Sequence, residues 1–445
     1  MHTAYFQNFR RIRREAWIVL LAAIALGFTW IGLSDAIMNL YLVRIGFGPQ
    51  FVGASAALAS LGYALAAMPG AALTRRIGAR RGMIVGSLAW VAGVMLLSAA
   101  DLLPAPLQES WIIVMRLAAS GGLALNAVSS QPYLTTVTSP EERPHAFALV
   151  ISLRPLGGFC GGLVGGLLPG FLVSLGLGPL TASLSQPRPY GITLALGMLV
   201  YLPVVWSLWT LPRDDPKSIA ARRAAAPPAA LGVGEREDPD WDRLSARSRM
   251  RLRAAPYGVL AAIALVCALR VGGEFAARNF FSVYVDATWG ITAAQIGSVV
   301  AVSSLLSIPA PLVTPALVQR YGRVATIAAG AFGVALSIAL LAVGRSWATA
   351  SMAFMAMTIL AAVARSVWSL MIQESVDDVW RPTSAAVANL FSGLGNTIMS
   401  SVGGVLAAAV GYRATFTTSA ALVALGAVTV WAAFRKRFPL ASSCE

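Results

Sequence analysis

From residue 16 onward the chain alternates long apolar runs with short polar breaks. A helix that crosses a hydrocarbon core of about 30 Å needs about 20 predominantly apolar residues. Runs of that kind fall near 16–42, 51–73, 82–100, 110–136, 145–175, 190–211, 256–285, 293–317, 323–343, 347–372, 383–410 and 413–434. The run 145–175 is longer than one crossing needs, so a turn is expected near Pro169-Gly170. The pattern breaks at length once, over 212–255, which holds Asp214, Asp215, Arg222, Arg223, Pro227, Pro228, Glu235, Glu237, Asp238 and a basic cluster from Arg243 to Arg253. That segment cannot bury a core and reads as a flexible linker, with a short amphipathic helix at 240–253. The predicted fold is an all-α membrane protein of twelve transmembrane helices. They form two six-helix bundles, over 1–211 and 256–445, joined by the linker 212–255, with a short tail at the end.

Composition agrees with the pattern. The chain is 57% hydrophobic and 12% charged, with mean hydropathy +0.70, whereas a soluble domain carries about 25% charged residues. Most of the surface is therefore expected to face a lipid bilayer. A net charge of +15 could point to nucleic acid. The basic residues, however, sit in short breaks between apolar runs, where membrane topology explains them. Of 34 lysines and arginines, only Arg44, Arg188, Arg345 and Arg413 fall in the loops that would face outward if the amino terminus is inside. This asymmetry places both termini and the linker in the cytoplasm and the protein in the cell's inner membrane. Cys160, Cys267 and Cys444 have no metal-site spacing, and His2 and His145 are far apart, so neither a metal nor a cofactor is expected. Nothing in the sequence calls for an oligomer, and a monomer is the expectation.

The chain also repeats itself. Residues 70–82 form a short basic turn between apolar runs, and 315–323 repeat its order. Leu73, Arg76 and Gly78 match Leu317, Arg320 and Gly322; further on, Arg143-Pro144 matches Arg381-Pro382 and Gly165-Gly166 matches Gly403-Gly404. Internal symmetry of this kind marks secondary transporters. Twelve spans in two halves, a long linker and a basic turn after the second and eighth spans resemble the major facilitator superfamily over nearly the whole chain. The family's loop signature, Gly-x-Leu-x-Asp-Arg-x-Gly-Arg-Arg, is matched at Leu73, Arg76, Gly78 and Arg80, and again at Leu317, Arg320, Gly322 and Arg323. The acid is missing: Arg75 and Gln319 stand in its two places. The resemblance implies a gating role for this loop, and the departure implies a differently latched gate. A plain topology anchor is the simpler reading.

The fifth span carries Gly157, Gly158, Gly161, Gly162, Gly165 and Gly166, two rows spaced by four. Small residues let backbones approach closely in lipid, so helix packing is the first expectation. The family's exporters carry a related Gly-Pro-x-x-Gly-Gly pattern here; Arg154-Pro155-Leu156-Gly157-Gly158 is offset by one. The likeness points to export, with uptake symport the alternative direction.

Charges inside spans are costly, roughly 2.5–3.5 kcal/mol each on insertion scales, and are expected to face a cavity or a partner. They are Asp35, Arg116, Arg154, Arg270, Glu274, Arg278 and Arg365. All but Arg154 fall on spans 1, 4, 7 and 10, which line the central cavity in the family. Counting along the helices puts Asp35 and Arg116 at similar height, so these two are expected to pair. Asp35, Arg116 and Glu274 are the candidates for proton coupling. Arg270, Glu274 and Arg278, spaced by four, are expected on one stripe, and Asn39 lies one turn above Asp35. Arg365 has no acid on its own span before Glu374. Rings interleave with these charges at Trp30, Tyr41, Phe275, Phe280, Phe281, Tyr284 and Trp368. Arg270, Arg278, Arg365, Asn39, Phe275 and Trp368 are the candidate solute contacts. The excess of arginine over acid points to an anionic or amphipathic solute, since guanidinium suits a carboxylate or phosphate.

These observations predict a proton-coupled secondary transporter of a small organic solute, working by alternating access. There is no Gly-x-x-x-x-Gly-Lys-Ser/Thr run to bind ATP. A membrane enzyme would need a nucleophile–base pair or metal cluster within the spans, and the histidines supply neither. A non-transporting receptor or scaffold is the rival that sequence leaves open.

Overall fold

The computed structural model describes residues 14–138, 143–176, 183–212, 257–377 and 380–435. The arginines before Arg14, the expected linker after Pro212 and the tail after Arg435 lie outside them, as do the side chains of Arg14 and Arg143. Among the described residues every regular element is helical. The first half contributes α1 (Glu15–Ile45), α2 (Pro49–Ile77), α3 (Ala79–Leu97), α4 (Ala105–Val137), α5 (Arg143–Ser174) and α6 (Arg188–Trp209). The second contributes α7 (Tyr257–Trp289), α8 (Ala293–Ser307 continued by Ala310–Tyr321), α9 (Arg323–Val343), α10 (Trp347–Glu374), α11 (Arg381–Ala409) and α12 (Tyr412–Phe434). Eleven of these are long and apolar enough to cross a membrane unbroken. The twelfth, α8, is interrupted where Pro309 has no N–H to continue the ladder.

The expected turn at Pro169-Gly170 does not form: α5 stays helical through both Pro155 and Pro169. A proline in a membrane helix frees one carbonyl, which neighbouring helices and local adjustment can satisfy. The surplus length is instead continuous helix, 32 residues from Arg143 to Ser174.

Two helices depart from α geometry at corresponding places. In α1 the segment Gly27–Ser34 is π-helical, and in α7 the segment Cys267–Val271 is. The first is supported by hydroxyls: Thr29 donates to the Ala25 carbonyl (3.1 Å) and Ser34 to that of Thr29 (2.8 Å). Gly78 and Gly322 end the basic-turn helices in each half at φ 89° and 82°, a conformation that side-chain-bearing residues rarely adopt. The repeat read in the sequence is thus a repeat of backbone.

The two glycine rows of α5 face different neighbours. Gly157, Gly161 and Gly165 lie against α1, near Ile24, Phe28 and Leu33, inside their own bundle. Gly158, Gly162 and Gly166 lie against α8 of the other bundle, near Ser304, Ala301 and Ala293. A second seam runs between α2 and α11, where a Cβ on Gly404 would sit 2.9 Å from the Pro49 carbonyl oxygen and 3.1 Å from the Gly53 Cα. Both seams are tightest near the start of α2 and of α8, at the ends remote from the basic turns. Such contact without side chains between them is how helices pack closely in lipid.

A cavity between the bundles

A cavity of about 540 Å³ lies between the two bundles. Asp35 and Arg278 line its deep end. Gln131 near the end of α4, Ile151 near the start of α5, Pro311 on α8 and Ser369 near the end of α10 line it toward the basic turns. It therefore extends toward the basic-turn side, while the glycine seams close the opposite side.

Above the deep end, α1 and α7 are bonded rung by rung. Arg278 Nη1 is 3.4 Å from Asp35 Oδ2. Asn39 Nδ2 donates to the Asn279 carbonyl at 2.7 Å. Arg44 makes a two-pronged pair with Asp286, Nη1 to Oδ2 at 2.8 Å and Nη2 to Oδ1 at 2.6 Å, and its Nε donates to the Leu184 carbonyl. Asn279 continues the network through Ser400 (2.9 Å) to Asn396, which donates to Ser60 of α2. One polar chain thus crosses between the bundles at α1–α7 and again at α11–α2. Near the basic turns, by contrast, Arg323 pairs with Glu374 within the second bundle, and Arg80 donates to the last carbonyls of α6, Leu208 and Trp209, within the first. Arg75, Arg76, Leu73 and Arg320 are exposed, and Arg320 lies over the Tyr321 ring. Leu317 and Gly322 sit partly buried beside them.

Three of the six expected solute contacts or their neighbours reach the cavity: Arg278, Arg365 and Phe275, together with Asp35 and Trp30. The arrangement of charge differs from that expected by counting. Asp35 pairs with Arg278 of α7; Arg116 is within electrostatic range of Asp35 but not in contact with it. Counting fixes height along a helix but not rotation, and the π segment just before Asp35 turns it out of α phase. The same effect breaks the expected stripe on α7. Glu274 and Arg278 form a true i,i+4 pair (3.8 Å), but Arg270 lies inside the π segment and points elsewhere. Arg270 is 2% exposed, its guanidinium 5.9 Å from the centre of the Trp368 ring. Trp368 donates to Cys267 Sγ (3.3 Å) and meets Phe434 edge-on. Arg270 and Trp368 thus stand behind the cavity wall, and Asn39 belongs to the seam above it.

Arg365 has an acid after all. Its Nη2 is 3.5 Å from Glu274 Oε1, which Arg278 also approaches. Glu274 is 2% exposed, and this oxygen has no hydrogen-bond partner; its hold on the two guanidiniums is electrostatic. The remaining rings are packing groups: Tyr41 bonds to the Ser98 carbonyl and Asp101, Phe281 stacks on Phe354, and Tyr284 meets Phe416. Sequence reasoning did not name Arg154, Tyr63 or Gln131 among the solute contacts, and all three line the cavity. A charge within a span was the available signal for Arg154.

A twelve-helix shell in two related halves, enclosing a charged cavity that reaches one face, is the architecture of a membrane carrier. The sequence matches the family model described as Major Facilitator Superfamily over residues 16–270 and 263–443. The chain belongs to this family, and family and fold together make it a membrane transporter. No curated protein matches its sequence. Among solved structures it is similar to the xylose transporter XylE from E. coli in an inward open conformation, at 14% identity and TM-score 0.69, covering 94% of each chain. It is also similar to a bacterial homologue of the human lysosomal transporter Spinster (14% identity, TM-score 0.68, 95% of this chain and 97% of that one). The nucleoside transporter NupG aligns at 14% identity and TM-score 0.64, over 95% of this chain and 100% of that one. At these identities the likeness is one of fold.

Proposed function

We propose that the protein is a proton-coupled, alternating-access carrier that exports a small organic solute bearing an anionic group. We place it in the inner membrane with its termini and the linker 212–255 cytoplasmic, and its bundles over 1–211 and 256–445. The observation that carries this reading is the cavity itself, walled by both bundles, charged at its deep end and sealed beyond by the α1–α7 rungs. Its size lies within the range of small-molecule sites, about 300–1,000 Å³. Of its four charged lining residues, Asp35, Arg154, Arg278 and Arg365, three are cations, which favours an anionic solute. Arg365 is 47% exposed and offers it a planar pair of donors. Export rests on the likeness of Arg154-Pro155-Leu156-Gly157-Gly158 to the pattern of the family's exporters.

The pair Asp35–Arg278 supports the coupling reading. The pair joins the two bundles, so opening the sealed side must part it. An opposite charge favours the ionised carboxylate, and burial without one favours the neutral acid. Asp35 would then be ionised when held by Arg278 and take a proton when released, with Arg116 modulating it at longer range. Glu274, held by two arginines of its own bundle, is the second candidate.

The test is flux into and out of proteoliposomes under an imposed pH gradient. Asp35→Asn should abolish gradient-driven accumulation while leaving solute binding intact. Accumulation that persists in the variant removes Asp35 from the coupling step, and absence of flux in the wild type favours a receptor. Vesicles of known orientation give the direction, and inward movement against the gradient would make the protein an uptake symporter.

A further inference from the structure

Arg154 differs from every other cation of the cavity. Arg278 has Asp35 and Glu274, and Arg365 has Glu274. Among the described residues Arg154 has no acid in contact, and its Nε is buried without a hydrogen-bond partner. Its electrostatic neighbours are phenols, Tyr63 and Tyr201. Arginine keeps its proton at any accessible pH, so this charge cannot be removed and calls for an anion. Arg154 is also part of the wall, together with Tyr63 and Gln131. A guanidinium, a phenol and an amide thus line one space.

The rest of the wall near it is apolar. On α1, Val19, Ala22, Leu26 and Trp30 follow one another at three- and four-residue steps along the cavity, which places them on one helix face. Charge bookkeeping then limits the head group. Of the three cations that line the cavity, Arg278 answers Asp35 and Arg365 answers Glu274, which leaves Arg154 as the lining cation without an acid; Arg116 and Arg270 do not line the cavity.

We infer that Arg154 is the primary seat of the solute's anionic head, and that the solute is a monoanionic amphiphile, a carboxylate on an apolar body that lies along the α1 face. This rests on the carrier reading above and sharpens it: the head sits on the first bundle, and Arg365 is a secondary contact on the second.

The experiment is ligand binding to purified full-length protein, followed by thermal shift and calorimetry, with four probes of one shape: phenylbutyrate, phenylbutyramide, phenylbutylamine and phenylsuccinate. The wild type should bind phenylbutyrate in preference to the amide, the amine and the dianion. Arg154→Gln should weaken phenylbutyrate roughly ten-fold or more, the loss expected for charge-assisted hydrogen bonds, and leave the amide unchanged. Arg154→Lys keeps the charge without the fork and should recover part of the affinity, which separates loss of the seat from loss of the fold. If phenylbutyrate weakens in Arg365→Gln but not in Arg154→Gln, the seat is overturned and the anion reading stands. Preference for phenylsuccinate overturns the monoanion assignment. Preference for the amine or amide overturns both the seat and the anion reading, and failure of all four probes to bind overturns the proposed solute class while flux still tests the carrier.

Discussion

Replacing Gly297 by alanine should move the protein between its two facing states. Gly297 lies in the α5–α8 seam, and a Cβ built on it would sit 2.5 Å from the Gly166 Cα and 2.7 Å from the Gly166 nitrogen. Ordinary van der Waals contact begins near 3.4 Å, and both obstructing atoms are backbone. Relief requires α5 and α8 to part by about 1 Å, and overpacking of this kind costs roughly 1–3 kcal/mol. The cost falls on the state with this seam closed and is absent where the bundles have swung apart there. A bias of about 1–3 kcal/mol changes the ratio of two states roughly 5- to 150-fold. The assay is maleimide labelling of a single cysteine at Ser369, on the cavity wall toward the basic turns, in a background lacking Cys160, Cys267 and Cys444. Labelling should slow in Gly297→Ala. Gly165→Ala is the matched control: its Cβ meets Leu33 at 3.4 Å inside one bundle, so labelling should not change. Equal labelling rates for Gly297→Ala and wild type, with unchanged melting temperature, would refute the seam as a determinant of facing.

Three further outcomes are expected. Arg44→Ala and Asp286→Ala, whose side chains are 21% and 14% exposed, should show a coupling of about 0.5–3 kcal/mol in a double-mutant cycle of thermal stability. Additive effects would mean that the rung contributes nothing to closure. Trp368→Ala should lose about 3–5 kcal/mol of stability, with phenylbutyrate affinity unchanged in the folded fraction; a selective loss of binding would put Trp368 back in the site. A cysteine replacing Ser245 should react with an impermeant reagent in broken cells only, and labelling of intact cells would invert the topology.

What could be read in the sequence was what depends on position along a helix. The spans follow from length and hydropathy, and the two halves from Leu73, Arg76 and Gly78 against Leu317, Arg320 and Gly322. What could not be read was rotation. Asp35 and Arg116 share a height, yet Asp35 faces Arg278, because a π segment shifts its phase. Arg270 looked equivalent to Arg278 by spacing and lies behind the wall for the same reason. Arg154 was visible as a charge in a span, but its helix was not among the four expected to line the cavity. The glycines of α5 were legible as packing residues, whereas their division between two partners belongs to the tertiary arrangement.

The paired π segments make the register of α1 and α7 a separate variable from their sequence. Each stores surplus chain in mid-membrane, and one residue corresponds to about 100° of rotation in an α-helix. Losing a single residue within Gly27–Ser34 could restore α geometry while leaving the span long enough. It would also turn Asp35, Asn39 and Arg44 together away from Arg278, Asn279 and Asp286. Insertions and deletions, which loops absorb harmlessly, therefore act here as a switch on a whole helix face. Two related carriers could share every side chain of these helices and still present different walls to the solute.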